Sequence, residues 1–178
     1  MRFFLLIFSF FSSFLLYAEK KEPIPSHLMV GPGLFDIDRS HPRFFTQLEY
    51  RWTVHFPHLR PLAAFFLTTD QNFFVCGGVS YDIYFGRRVV FTPSFAPGLY
   101  YHGKGKHLGF PLNFRSAAEL AFVFKNQSRF GAQFNHISNA HILFKNPGVN
   151  SLFIFYAIPF ASKKASGKKS SKLDAVTQ

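Results

Sequence analysis

Apolar and polar side chains alternate with a period of two along most of the chain from residue 43 onward. Successive side chains of a β-strand point to opposite faces, so this period predicts strands and not helices. One face of each stretch is strongly apolar, whereas the other carries charged and amide side chains. The apolar positions include Phe44, Leu48, Tyr50, Trp52, Phe73, Val75, Val79, Tyr81, Leu120, Phe122 and Phe124, and the polar ones include Gln47, Glu49, Arg51, Asp82, Arg115 and Glu119.

The alternation and the turn residues between the stretches predict eight strands, each long enough to cross a bilayer at about 9–11 residues per crossing. They are 29–37, 43–56, 58–69, 72–85, 87–101, 112–125, 127–138 and 150–160. An apolar exterior around a polar interior is typical of an outer-membrane barrel, whose closure leaves no strand edge unpaired in lipid. The fold class expected is all-β, an eight-stranded antiparallel transmembrane β-barrel. Eight strands leave no open channel, so the lumen charges are expected to fill the barrel.

The connections between the predicted strands fall into two classes. Tight turns are expected at Pro57-His58, Gly86-Arg87 and Asn126-Gln127. The connections 102–111 and 139–149 are long, whereas the one near Asp70 is short. Outer-membrane barrels combine short periplasmic turns with longer extracellular loops. The two long loops are therefore predicted to lie outside the cell, with both termini on the periplasmic side.

Both ends of the chain differ in composition from the barrel region. Residues 1–18 combine Arg2, an apolar run and Ala18, which is the layout of a secretory signal peptide. An uncleaved anchor is the alternative, although the run is short for a spanning helix. The barrel is assigned to 19–160, and 161–178 form a Lys-rich polar tail. The tail is expected to be solvated, with contact to anionic lipid or a periplasmic partner as the alternative.

Composition agrees with a membrane partner. Of the 27 Phe in 178 residues, six belong to the predicted signal peptide, and many of the other 21 fall on the outward parity, where lipid is their solvent. The net charge of +11 lies partly in the tail and the loops. It therefore favours an anionic lipid surface and no nucleic acid. A single Cys and the absence of metal-ligand spacing among the His indicate neither a cofactor nor a metal.

One pair of polar residues interrupts the outward apolar face. His136 and Ser138 share the parity of Phe130 and Phe134, at the strand end that feeds a long extracellular loop. Unpaired polar groups that face lipid raise the free energy of the folded protein, so the pair suggests a function. A His beside a Ser hydroxyl is the minimal arrangement for nucleophilic acyl transfer. The alternative is that both side chains simply lie at the headgroup level.

The segment His136-Ile-Ser138-Asn139-Ala140, followed by Asn146-Pro147-Gly148-Val149-Asn150 and a terminal strand, resembles the PagL-type lipid A 3-O-deacylase family. The resemblance implies an outer-membrane barrel that hydrolyses the ester-linked acyl chain at the 3 position of lipid A, so the partner would be lipid A or lipopolysaccharide in the outer leaflet. By position it implies Ser138 as nucleophile and His136 as general base. Asn150 would be the third catalytic residue, and the backbone N–H groups of Asn139 and His141 would form the oxyanion hole.

The chain departs from the family pattern at two positions. The family has Glu where this chain has Asn150, and it usually has Gly where this chain has His141. An amide can orient an imidazole but cannot stabilise an imidazolium by charge. The sequence holds no Asp or Glu between Glu119 and Asp174, so no carboxylate is expected to stand in. The alternative for Asn150 is an ordinary turn residue that opens the last strand.

Three loop lysines complete the candidate site. Lys104 and Lys106 lie in one long loop and Lys145 in the other, where they could contact lipid A phosphates. The sequence thus predicts a carboxylic ester hydrolase in the cell outer membrane of a Gram-negative type envelope. The alternative is a catalytically weakened or inactive barrel with a structural or surface-interaction role. A homodimer is possible in either case.

Overall fold

The computed structural model describes residues 24–53, 58–142 and 145–160. The predicted signal peptide and the Lys-rich tail lie outside the described residues. The strands are β1 (Ser26–Phe35), β2 (Arg43–Arg51), β3 (Leu59–Thr68), β4 (Phe73–Tyr81), β5 (Ile83–Phe85), β6 (Val89–Tyr101), β7 (Leu112–Val123), β8 (Arg129–Ser138) and β9 (Val149–Phe160). No helix long and apolar enough to cross a membrane occurs in these residues.

The strands close into an antiparallel barrel. Except for β4 and β5, strands that are neighbours in sequence pair with each other, and β1 pairs with β9, Phe35 lying opposite Ser151. β4 and β5 both pair with β6, so together they form one barrel strand that is interrupted at Asp82. The N–H of Asp82 donates instead to the carbonyl of His58 at 3.0 Å. The predicted eight-stranded barrel is therefore confirmed, with its fourth strand in two segments.

Most strand boundaries fall within a few residues of the predicted ones, and the largest difference is at the end of the second strand. The predicted second strand 43–56 ends in the structure at Arg51, and residues 54–57 lie outside the described residues, together with part of the predicted turn at Pro57-His58. The turns at Gly86-Arg87 and Asn126-Gln127 form where they were predicted. Gly86 has a φ of 67° there, which glycine adopts at no steric cost.

The outer wall is apolar and has aromatic residues at both ends. Side chains of the predicted outward parity are exposed, among them Leu48, Val75, Val79, Leu120 and Phe122. Near the chain termini, the rings of Tyr50 and Trp52 meet edge to face at 4.9 Å. At the opposite end, Phe73 stacks on Tyr101 at 5.1 Å. An apolar band between two aromatic girdles is the surface that a bilayer requires.

The half of the lumen nearer the chain termini is filled by ion pairs. Four fully buried residues form what we call the lumen cluster: Glu49, Arg51, Arg115 and Glu119. Arg51 contacts Glu49 at 2.7 Å and Glu119 at 2.5 Å, and Arg115 contacts Glu49 at 2.8 Å. The predicted network is thus confirmed for these four, while Asp82 pairs separately with Arg60 and Arg129.

Aromatic rings fill the half of the lumen on the loop side. The buried rings are Phe35, Phe45, Phe66, Phe74, Tyr100 and Phe153, and neighbouring centroids lie 5.4–6.4 Å apart. Such packing excludes water from an eight-stranded interior. Groups available to a substrate must therefore lie on the outer wall or in the loops.

Candidate active site

The ladder between β8 and β9 brings together two residues of the predicted site. His136 lies directly opposite Asn150, and both side chains point outward. Residues opposite each other in an antiparallel pair have Cβ atoms about 4.5–5.5 Å apart, within reach of a side-chain hydrogen bond. His136 Nδ1 is 2.8 Å from Asn150 Oδ1. The third position of the predicted site is thus in contact with the imidazole and is not merely a turn residue.

Ser138 ends β8 two residues beyond His136 and lies on the same outward face. It is half-buried, and its partner across the ladder is Phe114 of β7. Side chains two apart on a strand are neighbours on one face. No hydrogen bond joins Ser138 Oγ to His136 among the described residues. The hydroxyl and the imidazole are therefore adjacent, and their proton-transfer contact is not formed in this structure.

A carboxylate contacts the site from the turn after β1, the strand that closes the barrel against β9. Asn150 Nδ2 donates to Asp38 Oδ2 at 2.8 Å, although 112 positions separate the two residues. Because β1 pairs with β9, the turn after β1 lies beside the start of β9. The expectation that no carboxylate stands near Asn150 was therefore wrong. It rested on sequence distance, whereas barrel closure supplies the contact. We call Asp38, His136 and Asn150 the surface cluster.

The loop that follows Ser138 is held by the buried side chain of Asn139. Its Nδ2 donates to the carbonyls of Leu108 at 3.0 Å and Lys145 at 2.9 Å. Its backbone N–H donates to Asn146 Oδ1 at 3.0 Å, and its Oδ1 accepts the N–H of His141 at 2.9 Å. Both predicted oxyanion donors are thus engaged within the loop. The N–H of Ala140 has no acceptor among the described residues.

Residues 139–142 form a tight turn. Ala140 and His141 have φ values of 51° and 59°, and the N–H of Ile142 donates to the carbonyl of Asn139 at 3.1 Å. Two successive positive φ values are the signature of a type I′ turn. His is among the non-glycine residues that tolerate this region. His141 therefore adopts a backbone conformation that glycine adopts more easily than other residues.

Gly148 lies against the His136 imidazole and has no side chain that would displace the ring. The sequence did not indicate this contact. The residue has a φ of 57°, and a Cβ atom there would lie 3.1 Å from His136 Cε1. A side chain at this position would press on the imidazole. The sequence signal was only Pro147-Gly148, which suggested an ordinary turn.

The three predicted lysines have different environments. Lys104 and Lys145 are exposed. Lys106 is half-buried, and its Nζ pairs with Asp36 Oδ1 at 2.8 Å. Its charge is therefore neutralised inside the protein, while the other two ammonium groups remain available to a ligand. No group of His, Cys, Asp or Glu able to hold a metal ion occurs in the described part of the chain.

The family model described as lipid A 3-O-deacylase (PagL) matches residues 30–159, which is most of the chain and includes every residue of the surface cluster. The chain belongs to this family. The family, the closed barrel and the apolar outer wall together assign it to a Gram-negative outer membrane. No curated protein sequence matches the chain.

Three solved outer-membrane proteins are similar in structure to this PagL-family chain. The outer membrane enzyme PagL superposes with a TM-score of 0.61 at 18% identity, covering 75% of this chain and 99% of the other. Neisserial surface protein A superposes with a TM-score of 0.54 at 13% sequence identity, covering 79% of this chain and 100% of the other. The Yersinia pestis outer membrane protein Ail superposes with a TM-score of 0.52 at 11% sequence identity, covering 76% of this chain and 99% of the other. At these identities the likeness establishes the fold. None supports the possible homodimer, which stays a prediction.

Proposed function

We propose that the chain is an outer-membrane serine esterase that removes the 3-O-linked acyl chain of lipid A, with Ser138 as nucleophile and His136 as general base. The observation that carries this proposal is the contact between His136 Nδ1 and Asn150 Oδ1, beside Ser138 on the outer wall. An imidazole whose Nδ1–H is donated to a neighbour has its Nε2 lone pair free to accept a proton. That is the protonation state required of a general base.

The reaction follows the usual order of acyl transfer. His136 Nε2 takes the proton of the Ser138 hydroxyl as the oxygen attacks the ester carbonyl. The tetrahedral intermediate collapses, His136 returns the proton to the departing 3-hydroxyl oxygen of the sugar, and Ser138 carries the acyl group. Water, deprotonated by His136, then hydrolyses the acyl-enzyme to free fatty acid and restores the serine. No cofactor is needed for any of these steps.

Oxyanion stabilisation needs N–H groups that are not already bonded. Since those of Asn139 and His141 donate within the loop, the N–H of Ala140 is the donor that this conformation offers. It belongs to the residue two positions after Ser138, at the start of the turn. The N–H groups of Asn139 and His141 can join the oxyanion hole on substrate binding only if the side chains that accept their hydrogen bonds move away.

The neighbouring outer wall suits an acyl substrate. Next to the His136–Asn150 pair, on the same face, Phe134 lies opposite Leu152, and both are exposed. An ester at headgroup depth could thus reach Ser138 while its hydrocarbon chain stays against apolar side chains. A lipid-facing site of this kind fits a substrate that is itself part of the outer leaflet.

The test is the lipid A mass spectrum after expression in an outer membrane. We expect loss of one hydroxyacyl group with the wild-type chain. With Ser138→Ala the hydroxyacyl group should stay on lipid A, since removing a serine nucleophile lowers the rate at least about 10⁴-fold. Ser94→Ala is the matched control, because Ser94 lies on the inward face. Unchanged lipid A with folded wild-type protein would refute the proposal.

A catalytically weakened barrel is the second candidate. It is favoured by the engagement of both predicted oxyanion donors within the loop. In that case, folded wild-type protein would leave lipid A intact in cells and in detergent, and Asn150→Glu would restore no activity.

A further inference from the structure

We infer that Asp38 is a positioning residue that sets the orientation of the Asn150 amide and, through it, the tautomer of His136. The inference rests on the proposed function, because it assigns to Asp38 and Asn150 together the task that a single carboxylate performs in a Ser-His-Asp triad. It uses a residue from the opposite end of the barrel sequence, which enters the site only through strand closure.

The two ends of the Asn150 amide differ in hydrogen bonding. Its Nδ2 can only donate and its Oδ1 can only accept, so turning the amide over exchanges what each neighbour meets. The Asp38 carboxylate can only accept. Since Asp38 Oδ2 lies 2.8 Å from the amide, Nδ2 must face Asp38 and Oδ1 must face His136. The carboxylate thereby selects one of two amide orientations.

That orientation determines which imidazole nitrogen carries the proton. With Oδ1 facing the ring, His136 must donate from Nδ1, and Nε2 is left as the acceptor. With the amide reversed, Nδ2 would donate to the Nδ1 lone pair, and the neutral ring would hold its proton on Nε2. A histidine in that tautomer cannot accept the serine proton at Nε2. A wrong tautomer is the known cause of the large rate loss when a triad Asp is replaced by Asn.

The turn that carries Asp38 is fixed independently of the contact. The N–H of Ile37 donates to the backbone carbonyl of Asn150 at 3.1 Å. The buried side chain of Asp36 pairs with Arg39 at 2.7 Å and with Lys106 at 2.8 Å. Asp38 itself takes part in none of the ion pairs found in the described residues. Its carboxylate is thus held at Asn150 by a braced turn and has no competing cation there.

The charge of Asp38 also has a second effect on the site. An imidazolium forms at His136 during each proton transfer, and a carboxylate one amide away favours it electrostatically. The effect is weaker than that of a directly bonded Glu, because Asp38 is farther away and solvent-exposed. We therefore expect this chain to be slower than a form with the carboxylate at position 150.

The kinetic test compares Asp38→Ala and Asp38→Asn in the wild-type and Asn150→Glu backgrounds. In the wild-type background, Asp38→Ala should lower kcat about 10- to 100-fold, the size expected for losing a hydrogen bond to a charged group, with KM little changed. Asp38→Asn should retain part of the activity because its oxygen still accepts. Beside Glu at position 150, Asp38→Ala should cost nothing or raise kcat, because two adjacent carboxylates repel.

Asp70→Asn is the matched control. Asp70 lies in another loop at the same end of the barrel, and its carboxylate pairs with Arg43 at 2.8 Å, away from the surface cluster. It should leave kcat unchanged. An equal loss from Asp38→Ala in both backgrounds would show a merely structural role, and no loss in the wild-type background would also overturn the inference.

A second readout does not depend on activity. Long-range ¹H–¹⁵N spectra of ¹⁵N-histidine-labelled Ser138→Ala protein in detergent should show His136 as the Nδ1–H tautomer, and adding Asp38→Ala should produce a mixture of both tautomers. A single Nδ1–H tautomer in both forms would overturn the inference. If the tautomer responds while wild-type protein leaves lipid A unchanged, the proposed function fails and the positioning role stands.

Discussion

The lumen cluster and the surface cluster are both chains of polar side chains in short contact, yet they have different consequences. In the lumen cluster, fully buried arginines and carboxylates pair with one another inside a sealed barrel. The surface cluster ends at His136, which is exposed and adjacent to Ser138. The first cluster compensates its own buried charges, so it serves the fold. In the second, His136 Nε2 and the adjacent Ser138 hydroxyl have no hydrogen-bond partner among the described residues, and this is the cluster that we propose acts on a substrate.

The largest effect is expected from breaking the lumen cluster. Glu49→Ala leaves Arg115 without its buried counter-ion and Arg51 paired with Glu119 alone, which should lower the free energy of unfolding by about 3–5 kcal/mol. Urea unfolding of the barrel in lipid vesicles measures this loss. The deacylation rate per folded molecule should not change, since the barrel wall separates Glu49 from His136.

Glu49→Gln gives the matched comparison for that variant. It keeps the shape and one acceptor oxygen, so its loss of stability should be smaller than that of Glu49→Ala. A changed kcat in folded Glu49→Ala protein would show that the two clusters are coupled. An unchanged free energy of unfolding would show that the lumen charges contribute nothing to the fold.

A smaller effect is expected from the exposed loop lysines. Lys104→Ala combined with Lys145→Ala removes two ammonium groups from the extracellular side, which should raise KM for lipid A about two- to fivefold and leave kcat unchanged. The effect should shrink at high ionic strength because exposed charges are screened. Kinetics on lipid A in mixed micelles at two salt concentrations measures both.

Lys125→Ala is the control for the lysine prediction, since Lys125 is also exposed but lies in a turn at the other end of the barrel. It should leave KM unchanged. An equal rise in KM from Lys125→Ala would indicate general attraction to anionic lipid. No rise from the double variant would remove Lys104 and Lys145 from the binding site.

The smallest effect is expected at the turn after Ser138. His141→Gly relieves a positive φ but adds backbone freedom to the unfolded chain, so the free energy of unfolding should change by less than about 1 kcal/mol. The rate of deacylation should stay within about threefold of wild type. Ala140→Gly, at the neighbouring positive φ, is the comparison. A large loss of rate in His141→Gly alone would assign the imidazole of His141 a role in the site.

The barrel was predictable because its pattern is local. Each strand shows which side chains face lipid, as in the alternation of Leu48 and Tyr50 with Glu49 and Arg51, and the structure follows that parity. The split of the fourth strand at Asp82 was not predictable, because it depends on a hydrogen bond to the carbonyl of His58, the residue before β3. The pairing of individual lumen charges likewise depends on how far each strand is shifted along its neighbour.

The site was predictable only in part. Outward parity and the resemblance together indicated His136, Ser138 and Asn150, and ladder register brings the first and last of these into contact. The engagement of the Asn139 and His141 N–H groups was not foreseeable, because their acceptors are chosen by the conformation of the loop. The predicted closure sets the loop after the first strand beside the last strand, but it does not determine that Asp38 is the residue of that loop that reaches Asn150.

The sequence by itself determined the strand pattern, the side chains that face lipid, and the placement of His136 beside Ser138 on one face. Each of these follows from the alternation of side chains within a single strand. Only the tertiary structure decided which carboxylate contacts Asn150. Antiparallel closure of β1 on β9 brings Asp38 to Asn150 across 112 residues, and a hydrogen bond of 2.8 Å joins them. Such a contact depends on chain closure and register, which no local pattern contains.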